Sequence, residues 1–280
     1  MKTKFQVLLT ITLFSIGALA QLSKPGAVNP EREAAALQAQ QQAAQNAVKT
    51  DATTDCAYTF TSGTGLTYMQ YCVTVNGNIS AFQSPSGVEY INVGQVGEGY
   101  GVCDETNNIG YYDYAYTDSG NWDAPKLISH TATAVKISRT TSDGNWTLTQ
   151  TITSVPATPA AKITMALKNN TGGERYVSII RWADVDANST ELNNMDGTYG
   201  GSAFGNTEEG YGLMLQNVGT KTAFYVEGYP INTYLGPDPC NGAANYVGQL
   251  SQVDGSLLLF YDNVLINKQT TTVTAEYRPY

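Results

Sequence analysis

Asp184, Asp186 and Asn188 stand at alternate positions in the segment ADVDAN, and Asp196 follows in NNMDG. Oxygen donors at that density suit calcium, which takes about six to eight oxygen ligands. A helix–loop–helix calcium loop is excluded, because its required Gly and Glu places hold Ser189 and Met195. A non-helical loop that gathers Asp184, Asp186, Asn188 and Asp196 around calcium is one expectation. A solvated loop of Asx-turns is the other.

A second cluster lies in CDETNNIGYYDYAYTDSGNWDAP. Tyr111, Tyr112, Tyr114, Tyr116 and Trp122 alternate there with Asp113 and other acids. Flat aromatic faces beside carboxylates suit sugar rings, which stack on the ring and hydrogen-bond through their hydroxyls. These six residues are the expected carbohydrate contacts, although Tyr is also an ordinary strand former. Glu98, Asp113, Asp184 and Glu209 could supply a pair of catalytic carboxylates, but spacing in one dimension selects none. No H-E-x-x-H and no nucleophile elbow occurs.

The elements that must position these residues are strands. KISRTT, NWTLTQTIT, AKITMALKN, RYVSIIRWADVD and SLLLFYDNVLI alternate apolar and polar residues and are rich in Thr, Val, Ile and Tyr. Turn sequences such as SDGN, NNTGG and VDGS separate them. On the strand through VSIIRWADVD, Ile180, Trp182, Asp184 and Asp186 share one face, and Ile179, Arg181, Ala183 and Val185 the other. The prediction is an all-β fold, a large two-sheet antiparallel β-sandwich over residues 51–280.

The ends and the cysteines bound the compartment. Residues 1–20 carry Lys2 and Lys4, an apolar run and Ala18-Leu19-Ala20, the pattern of a secretory signal peptide. Residues 21–50 are Ala/Gln-rich, with Asn29 and Pro30 placed to start a short helix or linker that has almost no apolar stripe. An oxidising compartment favours disulfides among Cys56, Cys72, Cys103 and Cys240. A hairpin turning at Thr64 would set Cys56 opposite Cys72, leaving Cys103 for Cys240. The formal charge of −9 excludes nucleic acid as a partner, and the chain after residue 20 has no run apolar enough to span a membrane.

The order of features in VKISRTTSDGNWTLTQTITSVPATPAAKITMALKNNTGGERYVSIIRWADVD resembles the central part of galactose-mutarotase-like domains, and NGNISAFQSPSGVEYINVG is similar to their entry strands. The resemblance implies a β-supersandwich. Epimerases of that family use histidines with a carboxylate to open the sugar ring, and this chain has one histidine, His130. One imidazole cannot fill both the acid and the base role. The sequence therefore predicts a secreted, non-catalytic sandwich module that contacts extracellular carbohydrate or a surface partner. A glycan-processing enzyme using paired carboxylates and a structural or assembly protein are the alternatives.

Overall fold

A computed structural model describes residues 52–155, 158–199, 202–208, 210–219, 225–241 and 248–280. The expected signal peptide, the expected helix or linker of residues 21–50, and Glu209 lie outside the described residues. The structure is all-β, and its described helical turns are short 3-10 turns at Gly65–Thr67, Ala187–Ser189 and residues 239–241.

β1 (Tyr58–Ser62), β2 (Met69–Val73) and β3 (Ile79–Gln83) form a three-stranded sheet. The next strands are β4 (Gly97–Asp104), β5 (Ile109–Ala115), β6 (Lys126–His130), β7 (Ala134–Thr140), β8 (Trp146–Val155), β9 (Ala160–Asn169) and β10 (Glu174–Asp184). After them come β11 (Asn193–Tyr199), β12 (Ser202–Asn206), β13 (Gly212–Asn217) and β14 (Tyr225–Ile231). β15 (Gln249–Val253), β16 (Ser256–Asn267) and β17 (Thr270–Pro279) complete the chain. These later strands join in the order β5-β4-β10-β16-β14-β11-β12-β13-β17-β9-β8-β7-β6, with β15 added to β11.

This antiparallel sheet doubles over, and residues of β4, β10 and β16 share one core with residues of β7, β8, β9, β13 and β17. In β8 every second residue from Trp146 to Ser154 is buried, so its other face meets solvent. β4 and the C-terminal two-thirds of β10 are buried on both faces. Their second face packs Tyr114, Ile180, Trp182, Tyr229, Ile231, Leu258 and Phe260 into a smaller core. The segment 232–241 lies over it, with Tyr114 donating its hydroxyl to the Pro237 carbonyl (2.5 Å) and Cys240 bonded to Cys103 on β4.

The expected division of faces on β10 holds, with Ile180 and Trp182 in the smaller core and Ile179, Ala183 and Val185 in the larger. Both disulfides, Cys56–Cys72 and Cys103–Cys240, are formed. The hairpin register behind the first differs from expectation, since Cys72 pairs with Thr59. The 3-10 turn at Gly65–Thr67 moves the apex toward the C-terminal strand, and Cys56 reaches its partner from just ahead of β1 at a Cα–Cα distance of 5.5 Å.

Two buried ion pairs lie in the structure's interior. Arg181 on β10 contacts Glu98 on β4, with Nε 2.5 Å from Oε1 and Nη2 2.7 Å from Oε2, both side chains fully buried. Glu98 also accepts from the Ile79 amide and the Tyr277 hydroxyl, while Arg181 donates to Gln150 across the layers. Arg139 on β7 donates to Asp113 on β5 at 2.6 Å. Removing one partner of such a pair strands a charge without solvent and costs about 3–5 kcal/mol. Glu98→Gln is therefore expected to lower the denaturant-unfolding free energy by about that amount, and Glu98→Gln with Arg181→Met to recover much of it. A single-variant loss as small as that of an exposed pair, about 0–1 kcal/mol, would contradict this account.

Candidate functional site

Asp184 ends β10 opposite Ser256, the first residue of β16. Carrying that antiparallel register two residues beyond the sheet sets Asp186 across from Asp254, just ahead of β16. One carboxylate oxygen from each of Asp184, Asp186 and Asp254 lies within 4.8 Å of those of the other two. The loop that carries Asp186 is held by its own amide on Tyr90 O (2.9 Å) and by Ser189 N on Glu89 O (3.2 Å). Asn193 fastens the far side, its Nδ2 donating to Val185 O (3.0 Å) and Thr190 O (2.7 Å). Asn188 and Ser189 both adopt the left-handed region, with φ of 56° and 58°, which curls the chain back between these anchors.

Asp184 and Asp186 are 5% and 4% exposed, and an Oδ1 atom of each is buried with no hydrogen-bond partner. Burial pushes the Asp184 carboxyl up to about 9, with the charges of Asp186, Asp254 and Glu191 adding to the rise. Burial likewise lifts Asp186 to about 7, helped by Asp254 and Glu191, and raises Asp254 itself. Such a group can share protons or surround a cation with oxygen.

The other two expected metal ligands are Asn188 and Asp196. Asn188 forms the turn, and Asp196 sits within β11 between Phe204 and Gln249, lining an open depression of about 310 Å³ with Asn194, Met195, Asn206, Leu250 and Ser251. The strand that starts at Asn193 carries Asp196 away from the trio, and Asp254 takes its place. Asp254 was hidden in VDGS, a sequence that signals only a turn until the pairing of β10 with β16 is known.

The structure places most of the expected carbohydrate contacts in the core. Tyr111, Tyr114, Trp122 and Asp113 are core residues, between 0% and 4% exposed. Tyr111 donates to Asp143 (2.6 Å), Trp122 lies edge-on to Tyr100 with Arg139 5.6 Å from its ring, and Asp113 holds Arg139. Burial raises the Asp113 carboxyl to about 6 against the pull of Arg139. Tyr112 and Tyr116 are half-buried. Tyr112 stacks on Tyr114 at 4.9 Å, and Tyr116 packs edge-on to Trp182 while its hydroxyl accepts the Gly236 amide (3.0 Å). Burial raises the Tyr116 hydroxyl, and the neighbouring Tyr112, Asp184 and Tyr234 groups contribute to the rise. Tyr234, which sequence reasoning missed, is 42% exposed and lies close enough to Tyr116 to influence its hydroxyl. Glu98 is sealed in its ion pair, and His130 is an exposed end residue of β6 against the Tyr58 ring (4.9 Å).

No protein-family model matches the sequence, and no curated protein sequence matches it. Among solved structures, a bacterial glucoamylase complexed with acarbose is similar with a TM-score of 0.57 at 11% identity, over 80% of this chain and 32% of that one. A candidate aldose 1-epimerase from Escherichia coli K12 is similar with a TM-score of 0.50 at 10% identity, over 80% of this chain and 99% of that one. The chain thus spans about a third of the glucoamylase's length. At these identities the likeness is one of fold, and the resemblance to galactose-mutarotase-like β-supersandwiches holds at that level.

The raised carboxyls fix a pH dependence. In chelator, folded Asp184 and Asp186 hold protons up to about 9 and about 7, whereas an unfolded Asp releases its proton near pH ~3.9. The folded state binds more protons between those limits, so their contribution is complete in acid and is lost as pH rises through both folded values. The denaturation midpoint is expected to fall from about pH 5 to about pH 9. Asp184→Asn with Asp186→Asn should flatten that slope, and equal slopes in the two proteins would contradict the assignment.

Proposed function

We propose that the chain is a secreted, non-catalytic module that contacts extracellular carbohydrate. The proposed organisation is a leader over residues 1–20, a linker over 21–50 and the sandwich domain over 51–280. One observation carries this reading: half-buried Tyr116 lies close enough to the Asp184 carboxylate, to half-buried Tyr112 and to exposed Tyr234 to feel the charge of each. Ring faces there can stack on a sugar, and carboxylate oxygens beside them can accept its hydroxyls.

Other features are compatible with it. Two disulfides fit an oxidising, non-cytoplasmic compartment, and among the described residues no helix is long and apolar enough to cross a membrane. The similar solved structures are of a glucoamylase holding acarbose and a candidate aldose epimerase, both proteins of sugar chemistry by name.

The alternative is a glycan-processing enzyme, favoured by the raised carboxyl of Asp184. Glycoside hydrolysis sets its two carboxyl groups about 5–9.5 Å apart across the scissile bond. The trio's oxygens lie within 4.8 Å of one another. That crowding, and a single histidine in the chain, favour contact over cleavage.

A glycan array followed by titration calorimetry tests the proposal. The expected result is glycan binding without release of reducing sugar, weakened roughly tenfold in Tyr116→Ala and in the surface variant Tyr234→Ala. Absence of any bound glycan overturns the reading. Sugar release that vanishes in Asp184→Asn replaces it with the enzyme.

A further inference from the structure

We infer that Asp184, Asp186 and Asp254 form a divalent-cation site suited to calcium. This inference stands apart from the carbohydrate reading, because it rests on the trio alone.

Two independent observations support it. The first is convergence, since three carboxylates from two different segments bring oxygens within 4.8 Å of one another. Calcium–oxygen bonds are about 2.3–2.6 Å, so oxygens on opposite sides of one ion stand about 4.6–5.2 Å apart. Magnesium demands near-ideal octahedral geometry and dehydrates reluctantly, so three carboxylates gathered from two loops suit calcium better. The second is unmet demand. Asp184 Oδ1 and Asp186 Oδ1 are buried and lack any hydrogen-bond donor, on residues that are 95% or more shielded from water. A buried polar atom without a partner is rare in native proteins and calls for an ion or ordered water.

Two other buried acids show what is missing. Glu98 and Asp113 each contact an arginine, whereas among the described residues no Lys or Arg pairs with Asp184, Asp186 or Asp254. An ion of charge +2 would do for the trio what Arg181 does for Glu98. The donors are all carboxylate oxygens, which select a hard cation over zinc or copper. Glu191, exposed and close enough to influence all three aspartates, supplies further negative potential at the mouth. The ion would tie the end of β10 to the start of β16 and fix the Asp186–Ser189 turn between them.

Thermal unfolding of the full chain, first stripped with chelator and then titrated with calcium chloride or magnesium chloride, tests the site. Calcium is expected to raise the midpoint by roughly 5–10 °C at a hundredfold excess over its dissociation constant, and magnesium by less. The rise should be lost in Asp186→Asn and in Asp254→Asn, and kept in the exposed control Asp123→Asn. In chelator both loss variants should unfold at or above the temperature of the unaltered chain, which separates loss of a ligand from loss of the fold. Calorimetry should give one calcium per chain. A midpoint indifferent to calcium overturns the site, and so does a calcium shift that survives in both Asp186→Asn and Asp254→Asn.

Discussion

The contact between Arg181 and Glu98 is the constraint around which the sandwich is arranged. It joins two central strands side by side and reaches across the core to β8 and β17 through Gln150 and Tyr277. Desolvating two charges is unfavourable by several kcal/mol per ion, and the loss is offset only when geometry and secondary hydrogen bonds are nearly complete. That demand ties the separation of the layers to the register of β4 on β10. Sliding β10 by one residue would place Arg181 on the other face, among Tyr114, Trp182 and Phe260, and away from Glu98. The position of Asp184, three residues further along the same strand, follows from the same register.

The contrast between buried acids separates framework from site. Glu98 and Asp113 receive a guanidinium and several donors, so their charges hold the core together. Asp184 and Asp186 are as well buried and receive neither. Repulsion among like charges in a poorly solvated place works against folding, and a protein retains such an arrangement where the group does something else. The tyrosines divide in a similar way. Tyr111 and Tyr114, enclosed in the cores, donate their hydroxyls to Asp143 and to the Pro237 carbonyl, whereas Tyr234 is exposed.

The strand class was legible in the sequence where one face meets water. β7, β8, β9 and β17 alternate, and their burial alternates with them. β4 was harder, because GEGYGVCD reads as glycine-rich turn material while every residue in it is buried. Its glycines answer to close neighbours: a Cβ on Gly97 would meet the Trp182 ring at 2.6 Å, and one on Gly99 the Asp113 carbonyl oxygen at 1.8 Å. The pairing that creates those contacts is remote in sequence and leaves no local pattern. The acidic site was half legible for the same reason. Asp184 and Asp186 are neighbours along the chain, but Asp254 joins them only through the β10–β16 ladder. Alternating tyrosines signalled a strand pair without telling which rings a later segment, 232–241, would cover.

The Cys103–Cys240 bond, at a sequence separation of 137, also sets an order of assembly. The β6–β9 meander contains its own neighbours and can pair as each strand leaves the ribosome. β4 emerges before any of them, yet β10, the cover segment and its disulfide partner all arrive later, and β16 lies close to the C-terminus. The oldest strand of the large sheet is therefore among the last to be enclosed. Until then its thiol and its glycine-bare face wait in the open, where an oxidising compartment and its folding helpers have most to act on.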